Sequence, residues 1–295
     1  MPSSAPMGTA PETYPPAKHV MRDLDITTLV VSRTRSIGVI PITDALHTGP
    51  PGNRAAALGL TSIVADTQAA MVALIAAEPD WIATVDLSLH EVAPVTGSTM
   101  LVDARLVRAG SNIIVVRVDS YDVGDRRDIE ALADVDVPSA DLDLCATGLV
   151  SFARIPASAS AVGTRLKPGE RVGIVSPTAP GQPEPRPLLE RIGLQIVDAA
   201  AGAVELPRTP YVGNSFGAVN GGVLGMVFQG AAEAAHPGRR AVDIQTHYLS
   251  QAKTGPVRTR LQPVRQAADH AVCRIEAVDA GHNDQLLAVA VVTLR

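Results

Sequence analysis

Aromatic side chains are scarce: one Trp, four Tyr and three Phe make up 3% of 295 residues. That scarcity argues mildly against a pocket of stacked aryl rings and leaves the core to aliphatic side chains. Cysteine is scarcer still. Cys145 and Cys273 both lie in apolar, strand-like runs, with no second pair for a disulfide framework or a CxxC half-site, which fits a reducing cytoplasm. There is no Cys/His cluster and no H-E-x-x-H, so no metal is expected. A cationic patch is missing as well: the net charge is -5 and Lys and Arg are scattered, which excludes nucleic acid and anionic membrane surfaces as expected partners. No run reaches eighteen uninterrupted apolar residues, so no membrane span is expected. Residues 1–19 are rich in Pro, Ser and Ala without an apolar h-region, and are expected to be a disordered tail rather than a signal peptide.

What the chain does have is a pattern that occurs twice. Two short strands, 26–33 and 37–43, precede a stretch at 55–77 that is apolar at nearly every position and too long for a strand, hence a buried helix. From Thr84 the period changes to two, with Val85, Leu87 and Leu89 alternating with Asp86, Ser88 and His90, and strands follow at 100–106, 113–119 and 144–152. The second half repeats the order with strands at 188–197 and 202–209, an apolar helical segment VLGMVFQGAAEAA, then strands at 242–249, 257–262, 271–278 and 286–294. At an offset of 157, Val85, Asp86, His90, Arg108, Arg117, Asp122 and Gly124 meet identical residues Val242, Asp243, His247, Arg265, Arg274, Asp279 and Gly281. Thr96-Gly97 and Thr254-Gly255 correspond after a one-residue slip. Bias toward Ala and Val does not put Arg, Asp, His and Gly in register, so the chain is a duplication.

The expected organisation is therefore a tail at 1–19, one repeat at 20–156, a Pro/Gly/Ser/Ala-rich linker at 157–186 and a second repeat at 187–295. An acidic insertion at 125–142 delays the last strand of the first repeat. The fold class is α+β, with two antiparallel sheets, each wrapped around a long buried helix, pairing side by side.

The chemistry concentrates at 214–222, NSFGAVNGG, where a glycine pair opens the second helix and leaves its first amides open to an oxyanion or polarised carbonyl. Gly213 to Gly217 formally spells G-x-S-x-G, but a nucleophile elbow belongs in a parallel sheet, and Ser215 is read as a chance match.

The pattern N-x-x-G-x-x-H-G-G opening a buried helix resembles that of hotdog-fold acyl-CoA thioesterases of the PaaI type. Asn214, Gly217, Gly221 and Gly222 match it, while Asn220 stands where that family has His. The resemblance covers 187–295 well and 25–155 more loosely, and it implies a double hotdog, pseudo-dimeric within one chain. It further implies a carboxylate nine positions after the His, yet Gln229 occupies that place. Setting VLGMVFQ against LTSIVAD puts Asp66 of the first repeat opposite Gln229, with Thr84 opposite Ala241, and Ala57-Leu58-Gly59 opposite Asn220-Gly221-Gly222.

The losses are complementary. In the family, as the resemblance implies, each site is shared between two hotdogs, so one composite site is expected here: Asn214, Asn220 and Gly221 from the second repeat, Asp66 and Thr84 from the first. Its expected activity is hydrolysis of an acyl-CoA or other acyl thioester, with Asp66 as general base on water, direct nucleophilic attack being the second choice, and the Gly221 amide as oxyanion donor. Asn214 and Thr84 would orient water, and Asn220 would contact the thioester or hold the loop. The opposite site, at Gln229 and Ala241, is expected to be dead; Glu233, one turn after Gln229, is read as a solvent-directed helix-end residue rather than a displaced carboxylate. Coenzyme A enters only as part of the substrate, no separate cofactor is expected, and the expected assembly is a homo-oligomer of double-hotdog chains in the cytoplasm. The competing expectation is a degenerate hotdog protein that binds acyl-CoA without hydrolysing it.

Overall fold

The computed structural model describes residues 14–52, 54–135, 137, 142–159, 167–177 and 185–295. In the first repeat, strands β1 (Thr27–Ser32) and β2 (Arg35–Pro41) form a hairpin, and helix α1 (Leu58–Ala77) follows. Then come β3 (Trp81–Glu91), β4 (Thr99–Ala109), β5 (Ile113–Asp122) and β6 (Asp143–Ile155). The second repeat has β8 (Gln195–Asp198) and β9 (Ala203–Leu206), helix α2 (Gly221–Ala235), then β10 (Ala241–Tyr248), β11 (Val257–Gln266), β12 (Ala271–Asp279) and β13 (Gln285–Leu294).

All of these strands, with β7 (Val175–Pro177) between the repeats, hydrogen-bond into one 13-stranded sheet. Its order is β8-β9-β11-β12-β13-β10-β3-β6-β5-β4-β2-β1-β7. The two halves meet where β10 pairs antiparallel with β3, Asp243 opposite His90 and His247 opposite Asp86. The duplicated V-D-x-x-x-H lies across this seam as two reciprocal pairs: His90 Nδ1 bonds Asp243, and His247 Nδ1 lies 2.6 Å from Asp86 Oδ2. The duplicated aspartates also have a structural task. Asp122 accepts from the Thr96, Gly97 and Gly124 amides, and Asp279 from those of Lys253, Thr254 and Gly255, so each ties the turn after one strand to the end of another.

The helices lie against the inner face of this sheet and against each other. α1 has 20 residues and is apolar on all sides, which suits a helix covered on all sides. By length and composition it could cross a membrane, but 83% of its most apolar window is buried inside the protein. The helices run antiparallel and touch at glycines: a Cβ on Gly59 would lie 2.7 Å from Met226 Cα, and one on Gly222 would lie 2.6 Å from Ile63 Cα. Larger side chains there would hold the helices apart, and the site depends on their closeness.

Three expectations need correction. The stretch 188–197 is not one strand: Pro187 caps a helical turn at Leu188–Arg191, Gly193 adopts φ +80°, and only Gln195–Asp198 pairs with the sheet. Part of the linker is structured, since Val175–Pro177 adds an edge strand beside β1; residues 160–166 and 178–184 lie outside the described residues. Nor is the segment before residue 20 a free tail throughout. Residues 1–13 lie outside the described residues, but His19 is fully buried and hydrogen-bonds the Gly213 carbonyl at 2.8 Å across to the second repeat. The partners fix its tautomer, because that carbonyl needs the Nε2 proton while Nδ1 accepts from Met21 N. Burial holds the ring's pKa below its usual value, so His19 stays neutral. The acidic insertion, for its part, covers the outer face of the first repeat, where Ile129 and Leu132 pack on Leu29, Ile37, Leu101 and Tyr121.

Candidate active site

Because α1 and α2 run antiparallel, each sets a polar side chain against the other's first turn. Asp66, in the third turn of α1, accepts from the Gly222 amide at 3.2 Å. Gln229, at the matching place in α2, accepts from the Gly59 amide at 2.7 Å through Oε1. The helix starts are thus capped reciprocally, which matters for α1 because its N-cap, Ala57, has no side chain to do so. Asn220 caps α2 from within, its Oδ1 accepting from Val223 N at 3.3 Å.

The two pseudo-equivalent places differ in what surrounds them. At the Asp66 side, Thr84 on β3 donates its hydroxyl to Oδ1 at 2.9 Å. Gly221 leaves the first turn of α2 uncovered, and among the described residues its N–H meets no acceptor. A cavity of about 320 Å³ opens here, lined by Asp66, Thr84, Asn214, Asn220 and Gly221 together with apolar side chains. At the Gln229 side, Leu58 and Ala57 replace Gly221 and Asn220, and both are buried. Gln229 Nε2 donates to Thr48 Oγ1 at 2.8 Å and to Glu233 Oε1 at 2.7 Å, and Glu233 also accepts from Ala241 N at 3.1 Å. Burial pushes the Glu233 carboxyl up, the bonds from Ala241 and Gln229 opposing it, and this knot of partners is that of a structural group.

Asp66 is 7% exposed, and burial raises its pKa to about 6, with the Thr84 and Gly222 hydrogen bonds pulling the other way. A carboxylate titrating just below neutrality is largely ionised at pH 7 yet basic enough to take a proton.

The structure places the remaining candidates as follows. Asn214 lines the cavity, but its Oδ1 is committed to the Phe216 and Ala218 amides at 2.9 and 3.0 Å, and Gly217, at φ +76°, completes that turn. Asn214 therefore builds the loop, and only its amide nitrogen is left to face the cavity. The glycine pair divides its duties: Gly222 is wedged against α1 and donates to Asp66, while Gly221 faces the cleft, where a Cβ would lie 3.3 Å from Asp66 Oδ2. Ser215 is buried at the cavity rim, with no histidine among the lining residues to activate it. Arg239, Arg240, Arg258 and Arg260 do not line the cavity and are engaged elsewhere: Arg240 with Glu91, Arg258 with Glu205, Arg260 with Asp284, and Arg239 with the Ala267 carbonyl.

Two tyrosines escaped the sequence reading. Tyr248 donates to the Gly221 carbonyl at 2.8 Å, so one peptide group is held by Tyr248 at its oxygen and by Asp66 at its N–H. Its position was legible: Ile244, Thr246 and Tyr248 alternate along β10, and that phase points inward. Tyr14 lines the cavity; its hydroxyl donates toward Met21 Sδ at 3.5 Å and meets the Asn220 side chain. Burial pushes its phenol pKa up. Nothing but an isolated aromatic in a Pro-rich stretch announced it.

A separable effect is expected of Gln229. Gln229→Ala orphans the buried Gly59 amide and leaves a void, and should cost about 2–4 kcal/mol in urea unfolding. Activity per folded molecule should stay at the parent value, because Gln229 lies away from the cavity.

An antiparallel sheet wrapped around a long helix, occurring twice and joined edge to edge, is a hotdog fold, and solved structures bear this out. A putative thioesterase from Novosphingobium aromaticivorans superimposes with a TM-score of 0.56 at 18% identity, over 90% of this chain and 97% of that one. A tesB protein from Mycobacterium avium subsp. paratuberculosis does so with a TM-score of 0.53 at 14% identity, over 93% and 97%. A protein of unknown function with hot dog fold from Alicyclobacillus acidocaldarius gives 0.51 at 11%, over 88% and 92%. No curated protein matches the sequence. Residues 211–295, which contain Gly221 and the whole of α2, match the family model described as the acyl-CoA thioesterase N-terminal domain. The fold of the chain is the hotdog fold, and its second repeat is similar to the acyl-CoA thioesterase N-terminal domain.

Proposed function

We propose that the cleft between the two repeats hydrolyses acyl thioesters, with acyl-CoA as the substrate. The observation that carries this reading is Asp66: a buried carboxylate with a pKa near 6, held by Thr84 and Gly222, beside the open Gly221 amide at a helix N-terminus in an apolar cavity. The thioester carbonyl oxygen rests against the Gly221 N–H, where the helix dipole favours the developing negative charge. Asp66 takes a proton from water as the water oxygen attacks the acyl carbon. The tetrahedral intermediate collapses, the C–S bond breaks, and the proton on Asp66 passes to the departing sulfur. Water has then supplied hydroxide to the acid product and a proton to the thiol. Thr84 and Gly222 occupy one oxygen each and hold the carboxylate plane, and Tyr248 fixes the peptide that carries the Gly222 N–H.

The second repeat alone offers no base, and the first offers no open helix start. In this reading the chain has one working site, and the Gln229 side is structural.

The test is thiol release from acyl-CoA between pH 4 and pH 9. The rate should rise as Asp66 loses its proton, reach half-maximum at about pH 6 and level off above. Tight acyl-CoA binding without thiol release at any pH would favour the degenerate binding protein. A rate still climbing through pH 9 would point to a different base.

A further inference from the structure

We infer that the acyl group is a linear, unbranched aliphatic chain of medium length, about eight to ten carbons, lying along α1 from Asp66 toward Leu74 and ending at Trp81. The inference rests on the reading that the thioester sits at Asp66 and Thr84.

The direction follows from the walls. On α1 the cavity is lined by Asp66, Thr67, Ala70, Met71 and Leu74, spaced as one face of a helix. On β3 it is lined by the consecutive residues Trp81 to Val85. Helix and strand are joined by a short turn after Ala77, and the Thr84–Asp66 hydrogen bond ties them together near the opening. The space between them therefore runs from the reacting groups toward that turn, where Trp81, 6% exposed, closes it.

The length follows from helix geometry. Eight residues from Asp66 to Leu74 rise about 12 Å at about 1.5 Å each. An extended chain of single bonds advances about 1.2 Å per bond, as a polypeptide does over its three backbone bonds, so about ten bonds fit.

The chemistry of the walls selects the chain. Beyond Asp66 the walls given by α1 and β3 carry no charge; the Thr67 hydroxyl is already bonded to the Ile63 carbonyl at 2.8 Å, and that of Tyr14 donates toward Met21 Sδ at 3.5 Å. A polar or charged tail would be stripped of water there without a partner. Ala70 and Ala83 line opposite walls and keep the middle clear, while Met21 and Met71 lie along it as flexible side chains that adapt to a slender chain.

The experiment is a panel of linear acyl-CoA substrates from two to sixteen carbons, with benzoyl- and phenylacetyl-CoA beside them. kcat/KM should rise about fourfold per added methylene, flatten near eight to ten carbons and fall for longer chains. Ala70→Leu, which places a branched side chain one helical turn beyond Asp66, should move the optimum to about four carbons. Leu74→Ala should move it to longer chains, with a melting curve to show that the variant is folded. An optimum at two carbons, a profile flat to sixteen, a preference for the aryl substrates, or an Ala70→Leu profile identical to the parent would each overturn the inference. S-alkyl-CoA thioethers of the same lengths separate it from the hydrolytic reading. Thioether affinity that breaks at eight to ten carbons without thiol release from any thioester upholds the chain assignment and defeats hydrolysis. Turnover without a length preference does the reverse.

Discussion

Asp66→Asn is expected to reduce thiol release from acyl-CoA by about a hundred- to ten-thousandfold and, in the same protein, to raise stability above pH 6. The first effect follows from the role assigned to the carboxylate. Asparagine keeps the size and an acceptor for the Gly222 amide, and its NH2 can face Thr84, so geometry is preserved. It cannot take a proton from water, and loss of a positioned general base commonly costs about a hundred- to ten-thousandfold.

The second effect follows from the sign of the pKa shift. The Asp66 pKa lies near 6 in the folded protein against 3.8 for the free side chain, so the folded state holds the proton more tightly. Below pH 3.8 both states are protonated and the site adds no penalty. As pH rises from 3.8 to about 6 the unfolded chain loses its proton first and stability falls. Above that range the full penalty, on the order of 3 kcal/mol, is present. Asparagine removes it, so urea unfolding at pH 8 should show a gain of that order, and at pH 3.5 almost none. A variant that is inactive and also less stable at pH 8 would mean that Asp66 is a structural anchor. Full activity in Asp66→Asn would remove the base assignment.

Much of the fold was legible in one sequence because the duplication makes each half a check on the other. The period-two runs and the uniformly apolar helix fixed element type, and the recurrence of V-D-x-x-x-H marked two strands that now prove to pair with each other across the seam. Asp66 and Thr84 stood out through their asymmetry with Gln229 and Ala241. What stayed hidden depends on contacts between distant segments. Tyr14 lines the cavity in a segment that His19 ties to the loop at Gly213 and Arg22 holds through the Pro15 and Pro16 carbonyls, and no local pattern encodes the bond across to the second repeat. The helical turn at Leu188–Arg191 was missed because LLERIGLQIV is apolar enough for a strand, and the decisive residues, Pro187 and Gly193, bound the turn rather than fill it. The split between Gly221 and Gly222 is likewise a matter of which one faces the other helix.

That split yields the sharpest structural prediction. Gly222→Ala should destabilise the protein by about 3 kcal/mol or more, or prevent folding, whereas Gly221→Ala should fold. A methyl on residue 222 would sit 2.6 Å from Ile63 Cα and 2.7 Å from the Ser62 carbonyl, backbone atoms of a buried helix that cannot step aside singly. The helices would have to separate, and the Gly59–Gln229 and Gly222–Asp66 bonds span that same gap, so caps and packing would fail together. A methyl on residue 221 meets only the Asp66 carboxylate at 3.3 Å and the Tyr248 ring at 3.6 Å, side-chain atoms able to give by a few tenths of an ångström. It enters the cleft, however, between the base and the amide meant for the oxyanion. Gly221→Ala should therefore unfold at a urea concentration close to the parent's and lose most of its thiol release, and Gly222→Ala should fail in the unfolding experiment first. If Gly222→Ala were as stable as the parent, the helices would not be packed at this spacing, and a site shared between Asp66 and the start of α2 would lose its geometric basis.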